Sequence, residues 1–415
     1  MNVTVFGAGY AGVTLAQQLE SSLCSDIELT VIDDSDTHLL KHEVHRVIRR
    51  PRVADIIEVP LTTLFDRATV QTAHIQDIDI ETQTAQLNTG TTHEYDYGAI
   101  CLGSVTADYD IPGVAEHGLP LNTTADALAI RTALFEAAGV MSTADSSAET
   151  SNLRQQSPSD ININPQQYDA VPTNDTSPVD IVVGGAGLSG IQTAGELAAL
   201  ANEAGIQTNI TLIEQQPTVA PNFPENFQSA VSDALSDNGV RTSTATIVER
   251  ACENIVKTDT GAFDADIFVW TGGIRGTDAM DKNRPTVQSD LRAGTRTFIV
   301  GDAGRGIDAD GESIPASAAA ALREARTVAD NLSQLVEYDI NGGGGFEPRL
   351  DPYRFEVPGW IVTIGDDTVA QLGPEVLTGS AAKAMKASVG AGHLSSVGAL
   401  TQAAELVDAE IRSSE

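Results

Sequence analysis

Two stretches of the chain share one pattern of apolar and polar positions. Residues 3–19 read VTVFGAGYAGVTLAQQL and residues 181–197 read IVVGGAGLSGIQTAGEL. Each opens on a short β-branched run, passes three spaced glycines, and continues into an Ala-, Leu- and Gln-rich stretch with helical spacing. An unbroken apolar run bounded by glycine reads as a strand buried on both faces, as in a parallel sheet. Similar runs predict strands at ELTVID, YDYGAICLGS, NITLIE, DIFVWTGG and TFIVGDAG (297–304), with shorter β-like runs at ATVQTAHIQDIDI and TAQLNTG. Helical spacing predicts helices over 122–138, opened by Asn and Thr caps, and from Pro315 to about Leu335, with Ser313 as cap. His38–Arg50 is also helix-like. Residues 139–178 are polar with few apolar anchors and read as a mobile insertion without a catalytic role. Beyond the NGGGG hinge (341–345), GWIVTIGDDTVAQLG reads as a hairpin followed by two short helices.

The glycines give the repeated unit its chemistry. G-x-G-x-x-G between a strand and a helix lets the backbone turn tightly, approach a pyrophosphate, and pack helix against strand. The helix N-terminus then offers free N–H groups and a positive dipole end. An acidic residue at the end of the following strand, placed to accept hydrogen bonds from a ribose, strengthens the assignment. Asp33 stands 26 positions after Gly7 and Glu214 stands 29 after Gly185. The chain is expected to hold two dinucleotides.

Composition narrows the setting. The 415 residues carry 58 Asp and Glu against 24 Lys and Arg, a net charge of −34, and the acid is spread along the whole length. A surface so acidic, with scarce Lys, stays dispersed at very high salt and points to a halophilic cytoplasm. The same charge argues against nucleic acid and against docking on anionic lipid. No stretch is apolar for the roughly 18 residues of a membrane span. The first strand begins at Asn2–Val3, so no secretory signal is expected. Cys24, Cys101 and Cys252 form no C-x-x-C or C-x-x-x-x-C, which excludes a redox dithiol beside a flavin.

At TFIVGDAG, a strand ending in Gly-Asp late in a chain with an N-terminal G-x-G-x-x-G, the sequence resembles two-dinucleotide flavoproteins. THLLKHEVHRVI, DYGAICLGSVTADYDIPGVAEHGLPL, DIFVWTGGIRG and PASAAAALREA resemble, in that order, segments of type II NADH dehydrogenases, here of a haloarchaeal type. The resemblance spans nearly the whole chain except 139–178. It implies an α/β fold of two Rossmann-like domains with a small α+β C-terminal region. The FAD domain would be 1–120 with 291–335, the NAD domain 121–290, and the C-terminal region 346–415. Non-covalent FAD would be held by Gly7, Gly9, Gly12, Asp33, Gly103, Gly301 and Asp302, with Asp302 on the ribityl chain. NADH would lie against Gly185, Gly187, Gly190, Glu214, Gly272 and Gly273. Gln215 and Gln216 follow Glu214 with no Arg for a 2′-phosphate, which favours NAD. Trp270 would either flank the nicotinamide or pack a domain interface. Backbone N–H groups at Ala316, Ser317 and Ala318 would face the flavin's pyrimidine edge, where a helix dipole stabilises negative charge.

The expected activity is hydride transfer from NADH to FAD and onward to a quinone-type acceptor, in a cytoplasmic protein, peripheral at most to the inner membrane face and a candidate homodimer. A sulfide–quinone reductase-like or redox-protein-reductase activity, and a non-enzymatic FAD-binding sensor, are the competing readings. Three departures from the family pattern bear on the acceptor. Gln192 replaces a Glu, and Ala319 and Arg323 replace two Gln along the expected quinone side. Lys41 and His42 stand where Gln and Pro are common. His38, His42 and His45 are read as helical neighbours near a flavin or as plain surface, with no metal site. The acidic C-terminal segment, LTQAAELVDAEIRSSE, is a poor membrane anchor.

Overall fold

A computed structural model describes residues 1–140, 177–356 and 359–412. The polar insertion expected at 139–178 lies almost wholly outside the described residues. The first sheet takes its four N-terminal strands from β1 (Asn2–Phe6), β2 (Glu28–Asp33), β3 (Thr69–Thr72) and β4 (Tyr97–Ile100). The second sheet is built from β5 (Val179–Gly184), β6 (Thr208–Ile213), β7 (Arg241–Ser243) and β8 (Ile267–Trp270). All neighbours in both sheets run parallel. The spatial orders are β4-β1-β2-β3 and β8-β5-β6-β7, so the second unit repeats the first strand for strand. Each unit also carries a three-stranded antiparallel sheet, within 75–94 in one and 248–264 in the other.

One strand breaks the equivalence. β9 (Thr297–Ile299) returns from late in the chain and pairs with β4, making the first sheet five-stranded. It leads into a long helix that packs beside the first helix of the chain.

Besides two single-turn helices at Ala54–Ile57 and Val114–His117, the helices of the described residues are α1 (Tyr10–Ser22), α2 (His45–Arg49), α3 (Thr124–Ala137), α4 (Leu188–Ala204), α5 (Glu225–Asp237), α6 (Ala318–Ile340), α7 (Gly379–Ser396) and α8 (Leu400–Arg412). The α3 start follows the expected capping: Thr123 and Asp126 form a reciprocal box. The α6 start does not. Its cap is Ser317, whose hydroxyl accepts from Ala320 N, whereas Ser313 is held in a β-bridge with Ile307. Nor does α6 stop near Leu335; its buried stripe runs on through Val336. His38–Arg50 is not one helix but a short strand (Thr37–Leu39), a 3-10 turn (Lys41–Glu43) and α2.

The C-terminal region is α+β. Strands β10 (Gly359–Ile364), β11 (Asp367–Leu372) and β12 (Glu375–Thr378) form an antiparallel sheet, and the helices after it, α7 and α8, span 18 and 13 residues, the first far from short. Gly195 on α4 lets the β10–β11 turn lie directly on that helix, since a Cβ there would meet Gly365 N at 2.5 Å. At the expected hinge, Tyr338 Oη donates to the carbonyls of Gly343 (2.7 Å) and Gly345 (3.0 Å). Among the described residues no helix is long and apolar enough to cross a membrane.

Candidate functional site

The two glycine motifs match in the division of labour among their glycines. Gly7 and Gly185 have φ of +101° and +97°, which side chains other than glycine's rarely adopt. A Cβ on Gly7 would strike Cys101 O at 2.4 Å; one on Gly185 would meet Gly272 Cα at 2.8 Å. A Cβ on Gly12 or Gly190 would come within 1.8 Å of the carbonyl of Gly7 or Gly185, so these glycines seat the helix against the turn. The middle glycines differ from both. A Cβ on Gly9 or Gly187 meets nothing within 4 Å. Each is the N-cap of its helix, with no side chain on the first N–H groups. The open side of each cradle is therefore backbone amide at a positive helix end, the setting a pyrophosphate requires.

The two acids repeat the same bonds. Asp33 accepts from Ala8 N (2.5 Å) and Ser35 N (2.8 Å); Glu214 accepts from Ala186 N (2.8 Å) and Gln216 N (2.9 Å). In both units the acid fixes the amide inside the glycine loop and the loop after its own strand, holding a carboxylate edge at the rim of the cradle. Burial pushes the Asp33 carboxyl up to about 6, against the pull of its two amide bonds.

The first unit has a second wall. Gly301 (φ +67°) follows β9, and its N–H donates to the buried Glu324 of α6. A Cβ on Gly301 would lie 3.1 Å from Ala321 Cβ and 3.7 Å from Ala11 Cβ, so this turn sits between α6 and α1. Half-buried Asp302 accepts from Ser104 Oγ at 3.3 Å, while Lys41 Nζ donates to Ser104 O at 3.1 Å. Arg284 clamps the turn through the carbonyls of Asp302 and Gly304, both at 2.7 Å. Gly103 (φ +65°) faces open space beside it. Of the three backbone groups expected at the helix start, Ala316 precedes the helix, Ser317 caps it, and Ala318 is its first residue. Arg284, Lys41 and Ser104 carry no motif, and sequence reasoning did not assign them to this wall.

Among the described residues the second unit has no such wall. Its third side is Thr271–Gly273: Thr271 Oγ1 donates to Gly184 O (2.9 Å), and Gly272 packs so tightly that a Cβ would lie 2.3 Å from the Trp270 ring. Trp270 is buried, with Nε1 donating to Ala107 O at 2.7 Å, so it packs the interface between the units. Gly273 (φ +148°) leaves space for the Tyr109 hydroxyl.

The histidines lie neither side by side on a helix nor on plain surface. His38 is buried on its short strand, with Nδ1 donating to Ala8 O (2.9 Å) and Nε2 facing His393 Nε2 of α7 at 2.9 Å. That carbonyl fixes the tautomers: His38 Nε2 accepts, and His393 Nε2 donates. Tyr10, the first residue of α1, packs against the rings of His38, His42 and His393 and bonds His42 Nδ1 through its hydroxyl. Burial lowers His38 to about 4 and His393 to about 3; the His42 imidazole adds to the first shift, and those of His38 and His42 to the second. His45 bonds Thr363 Oγ1 (3.0 Å) and Gln192 Nε2 (3.3 Å). Among the described residues no group of His, Cys, Asp or Glu is arranged to hold a metal ion. Cys24, Cys101 and Cys252 are all free thiols.

Residues 1–325 match the family model of pyridine nucleotide-disulphide oxidoreductases. Over 409 residues the chain is 23% identical to a type II NADH:quinone oxidoreductase of Staphylococcus aureus, covering 92% of each protein. Its fold is similar to that of NDH2 from Plasmodium falciparum, solved in complex with NADH (TM-score 0.76, 13% identity, 98% of this chain and 97% of that one). It is also similar to the sulfide:quinone oxidoreductase of Aquifex aeolicus (TM-score 0.71, 17% identity, 97% and 92%).

Proposed function

The chain belongs to the pyridine nucleotide-disulphide oxidoreductase family, and from that premise we propose that it is an FAD-carrying NADH dehydrogenase that passes electrons to a quinone. The observation that carries this reading is the inequality of two otherwise matched cradles. One is closed by a second wall, as a resident cofactor requires; the other, among the described residues, is open, as suits a dinucleotide that comes and goes.

FAD, when bound, accepts two electrons with a hydride and gives them up again. The protein's part is positioning. In the closed cradle Gly7, Gly9 and Gly12 hold the pyrophosphate and Asp33 the adenosine ribose. Gly103, Gly301 and Asp302 bring backbone and carboxylate to the ribityl side. The cap at Ser317 leaves the N–H groups of Ala318 and Ala319 for the flavin's pyrimidine edge. The empty space beside Gly9 and the half-buried Asp302 carboxylate suit this group. In the open cradle Gly185, Gly187 and Gly190 take the NADH pyrophosphate, Glu214 its ribose, and Gly272 and Gly273 flank the nicotinamide. Both oxygens of Glu214 already accept amide bonds and Gln215 and Gln216 follow it, so a 2′-phosphate would be repelled.

The domain division that goes with this reading is FAD in 1–120 with 291–335, NAD in 121–290, and a C-terminal region of 346–415. The acidic charge of −34 supports a halophilic, cytoplasmic setting. With an acidic final helix, contact with a membrane is peripheral and weak at most. A homodimer through the C-terminal helices, where Val389 and Leu400 are exposed, belongs to the same reading and is decided by light scattering at molar salt.

Anaerobic mixing of the purified yellow protein with NADH at molar salt tests the donor half: the flavin absorbance should bleach within the turnover time. Adding a soluble quinone analogue should restore it. Colour that NADH does not bleach would end the dehydrogenase reading. Colour restored only by a redox protein or oxygen would end the quinone reading alone.

A further inference from the structure

Cations are scarce in this chain, 24 against 58 Asp and Glu, yet five of them line one cavity. Arg46 and Arg49 come from α2, Arg50 follows it, and Lys383 and Lys386 come from α7. Two of the five lysines in the sequence thus stand at one small space. The cavity measures about 30 Å³ and lies where α2 and α4 meet the β10–β11 turn and α7. Arg46, Arg49 and Lys386 are only 6%, 8% and 8% exposed, so water compensates little of their charge. The side chains of Arg50 and Asp366 are 42% and 60% exposed and leave the cavity a way to solvent.

The carboxylates around these cations are shared. Glu203 of α4 accepts from Arg49 Nη2 and Arg50 Nη2, both at 2.6 Å. Glu43 Oε2 lies 3.0 Å from Arg46 Nη1 and 3.6 Å from Lys386 Nζ. Asp366 is a second partner for Arg49, at 2.8 Å from Nη1. Half-buried Lys383 pairs with no carboxylate among the described residues. Glu196 of α4 lines the cavity at 5% exposed, and burial pushes its carboxyl up to about 7 against the pull of Lys386, Arg49, Arg46 and Arg50. Below that pH it is mainly a neutral acid whose O–H can donate, not a counter-charge. Positive charge gathered at a buried cavity is unfavourable until an opposite charge enters it.

We propose that this cavity binds one monatomic anion, chloride, which joins α2 of the first unit and α4 of the second to the C-terminal region. Size decides among anions. A space of about 30 Å³ holds one or two waters. A chloride ion is little larger than a water, whereas a carboxylate, sulfate or phosphate brings a central atom and two or more oxygens. The ammonium and guanidinium groups are donors without acceptors, as an anion requires. The ion would be held from four directions: Arg46 and Arg49 on α2, Glu196 on α4, Lys383 and Lys386 on α7, and the β10–β11 turn. A ligand bound by the folded chain alone stabilises it by mass action. The fold would therefore depend on chloride itself and not only on ionic strength.

Urea midpoints of the full chain, at constant potassium with chloride exchanged for gluconate, test the site. Gluconate is too large for the cavity, so the wild-type midpoint should climb with chloride and level off as the site fills. Lys383→Gln keeps a long polar side chain and breaks no ion pair among the described residues. It should raise the chloride concentration for half of the effect roughly ten-fold, as loss of a hydrogen bond to a charged group predicts. Lys257→Gln, on the strand Ile255–Thr258 and outside the cavity, should leave that concentration unchanged. General salt effects act alike on all three proteins, so the difference between them reports the cavity. Bromide should replace chloride in the titration and give an anomalous scattering peak in the cavity of soaked crystals. Equal chloride responses in wild type and Lys383→Gln would overturn the proposal, as would a cavity without bromide. A bromide peak with no chloride-dependent midpoint would mean an adventitious ion only and would overturn it too. No measurement here uses NADH or quinone, so the outcome is independent of the dehydrogenase reading.

Discussion

The two cradles use the same three glycines and the same acid-to-amide bonds, yet among the described residues they are walled to different degrees. The first has a fifth strand, an acidic turn clamped by Arg284, and the start of a 23-residue helix beside it. The second, among the described residues, stops at four strands and the Thr271–Gly273 turn. Duplicating a βαβ unit yields a dinucleotide site; whether that site keeps or exchanges its ligand depends on what the rest of the chain adds. Here the addition comes from almost 200 residues after β4, returning across the second unit to complete the first.

The sharpest way to break the comparison is at the middle glycines. Alanine at Gly9 or Gly187 adds a methyl into open space, so the fold should survive in both variants. Gly9→Ala should release FAD and abolish all turnover. Gly187→Ala should keep the colour and raise the KM for NADH by about ten-fold, or roughly 1.4 kcal/mol. Equal loss of flavin from both variants would show that the cradles are not distinguished by occupancy. Asp302→Ala should likewise lose FAD on gel filtration, while His42→Ala, outside the cradle's bonds, should retain it. Flavin released by denaturation and filtration should leave a colourless protein; retained colour would mean a covalent link.

The rim acid of the open cradle gives the next effect. Glu214→Arg removes a carboxylate that repels a 2′-phosphate and supplies a cation that can pair with one. The preference for NADH over NADPH should narrow or reverse, measured as the ratio of kcat/KM values. An unchanged ratio would mean that Glu214 does not reach the ribose.

What could be read from the sequence follows from the range of the interactions. The cradles are local: from the first glycine to the acid is 30 residues or fewer, and the outer two glycines of each motif have steric reasons that their positions announce. The start of α6 was misread because Pro315 and Ser313 look like helix openers. Ser313 is instead tied to Ile307 in a bridge, and Ser317 makes the cap. The histidines were misread for the opposite reason. His38 and His393 are 355 positions apart, and no local periodicity joins them. Arg284 and Glu324 belong to the closed cradle for the same long-range reason: their bonds go to the backbone of residues 301–304, and backbone partners leave no motif.

Two kinds of buried ionisable group give opposite pH signatures. His38 (about 4) and His393 (about 3) titrate near 6.5 when unfolded, so the unfolded chain binds more protons between those values. Their contribution to stability is present above about pH 6.5 and lost as pH falls toward 4. Burial raises Glu196 to about 7, against Lys386 and three arginines, and raises Glu324 to about 7. These carboxyls favour the fold below their unfolded value of about 4.3 and withdraw that support as pH rises to about 7. Glu196→Gln should therefore gain stability relative to wild type between pH 5 and 8, on the order of 2 kcal/mol. His393→Leu should flatten the acid-side loss. Denaturant midpoints at pH 5, 6.5 and 8 check both signs, and parallel curves for all three proteins would contradict them.

The smallest expected effect concerns the acceptor side of the closed cradle. Ala319 and Arg323 stand one turn apart on α6, and the Arg323 guanidinium is turned back onto the Ala319 carbonyl at 3.0 Å. A quinone entering beside α6 would meet a methyl group and a cation already engaged with backbone, so its carbonyls would be weakly oriented. A well-placed hydrogen bond to a bound ligand contributes on the order of 1 kcal/mol, a few-fold in affinity. Wild-type protein should thus reduce soluble quinone analogues at molar salt with little discrimination among head groups. The double variant Ala319→Gln with Arg323→Gln should lower the quinone KM a few-fold and sharpen that discrimination, while the rate of flavin bleaching by NADH stays as it was. Because the open cradle is untouched, a change in the NADH half-reaction would mean that the two sites communicate through α6. Unchanged quinone kinetics would place the acceptor away from this face of the helix.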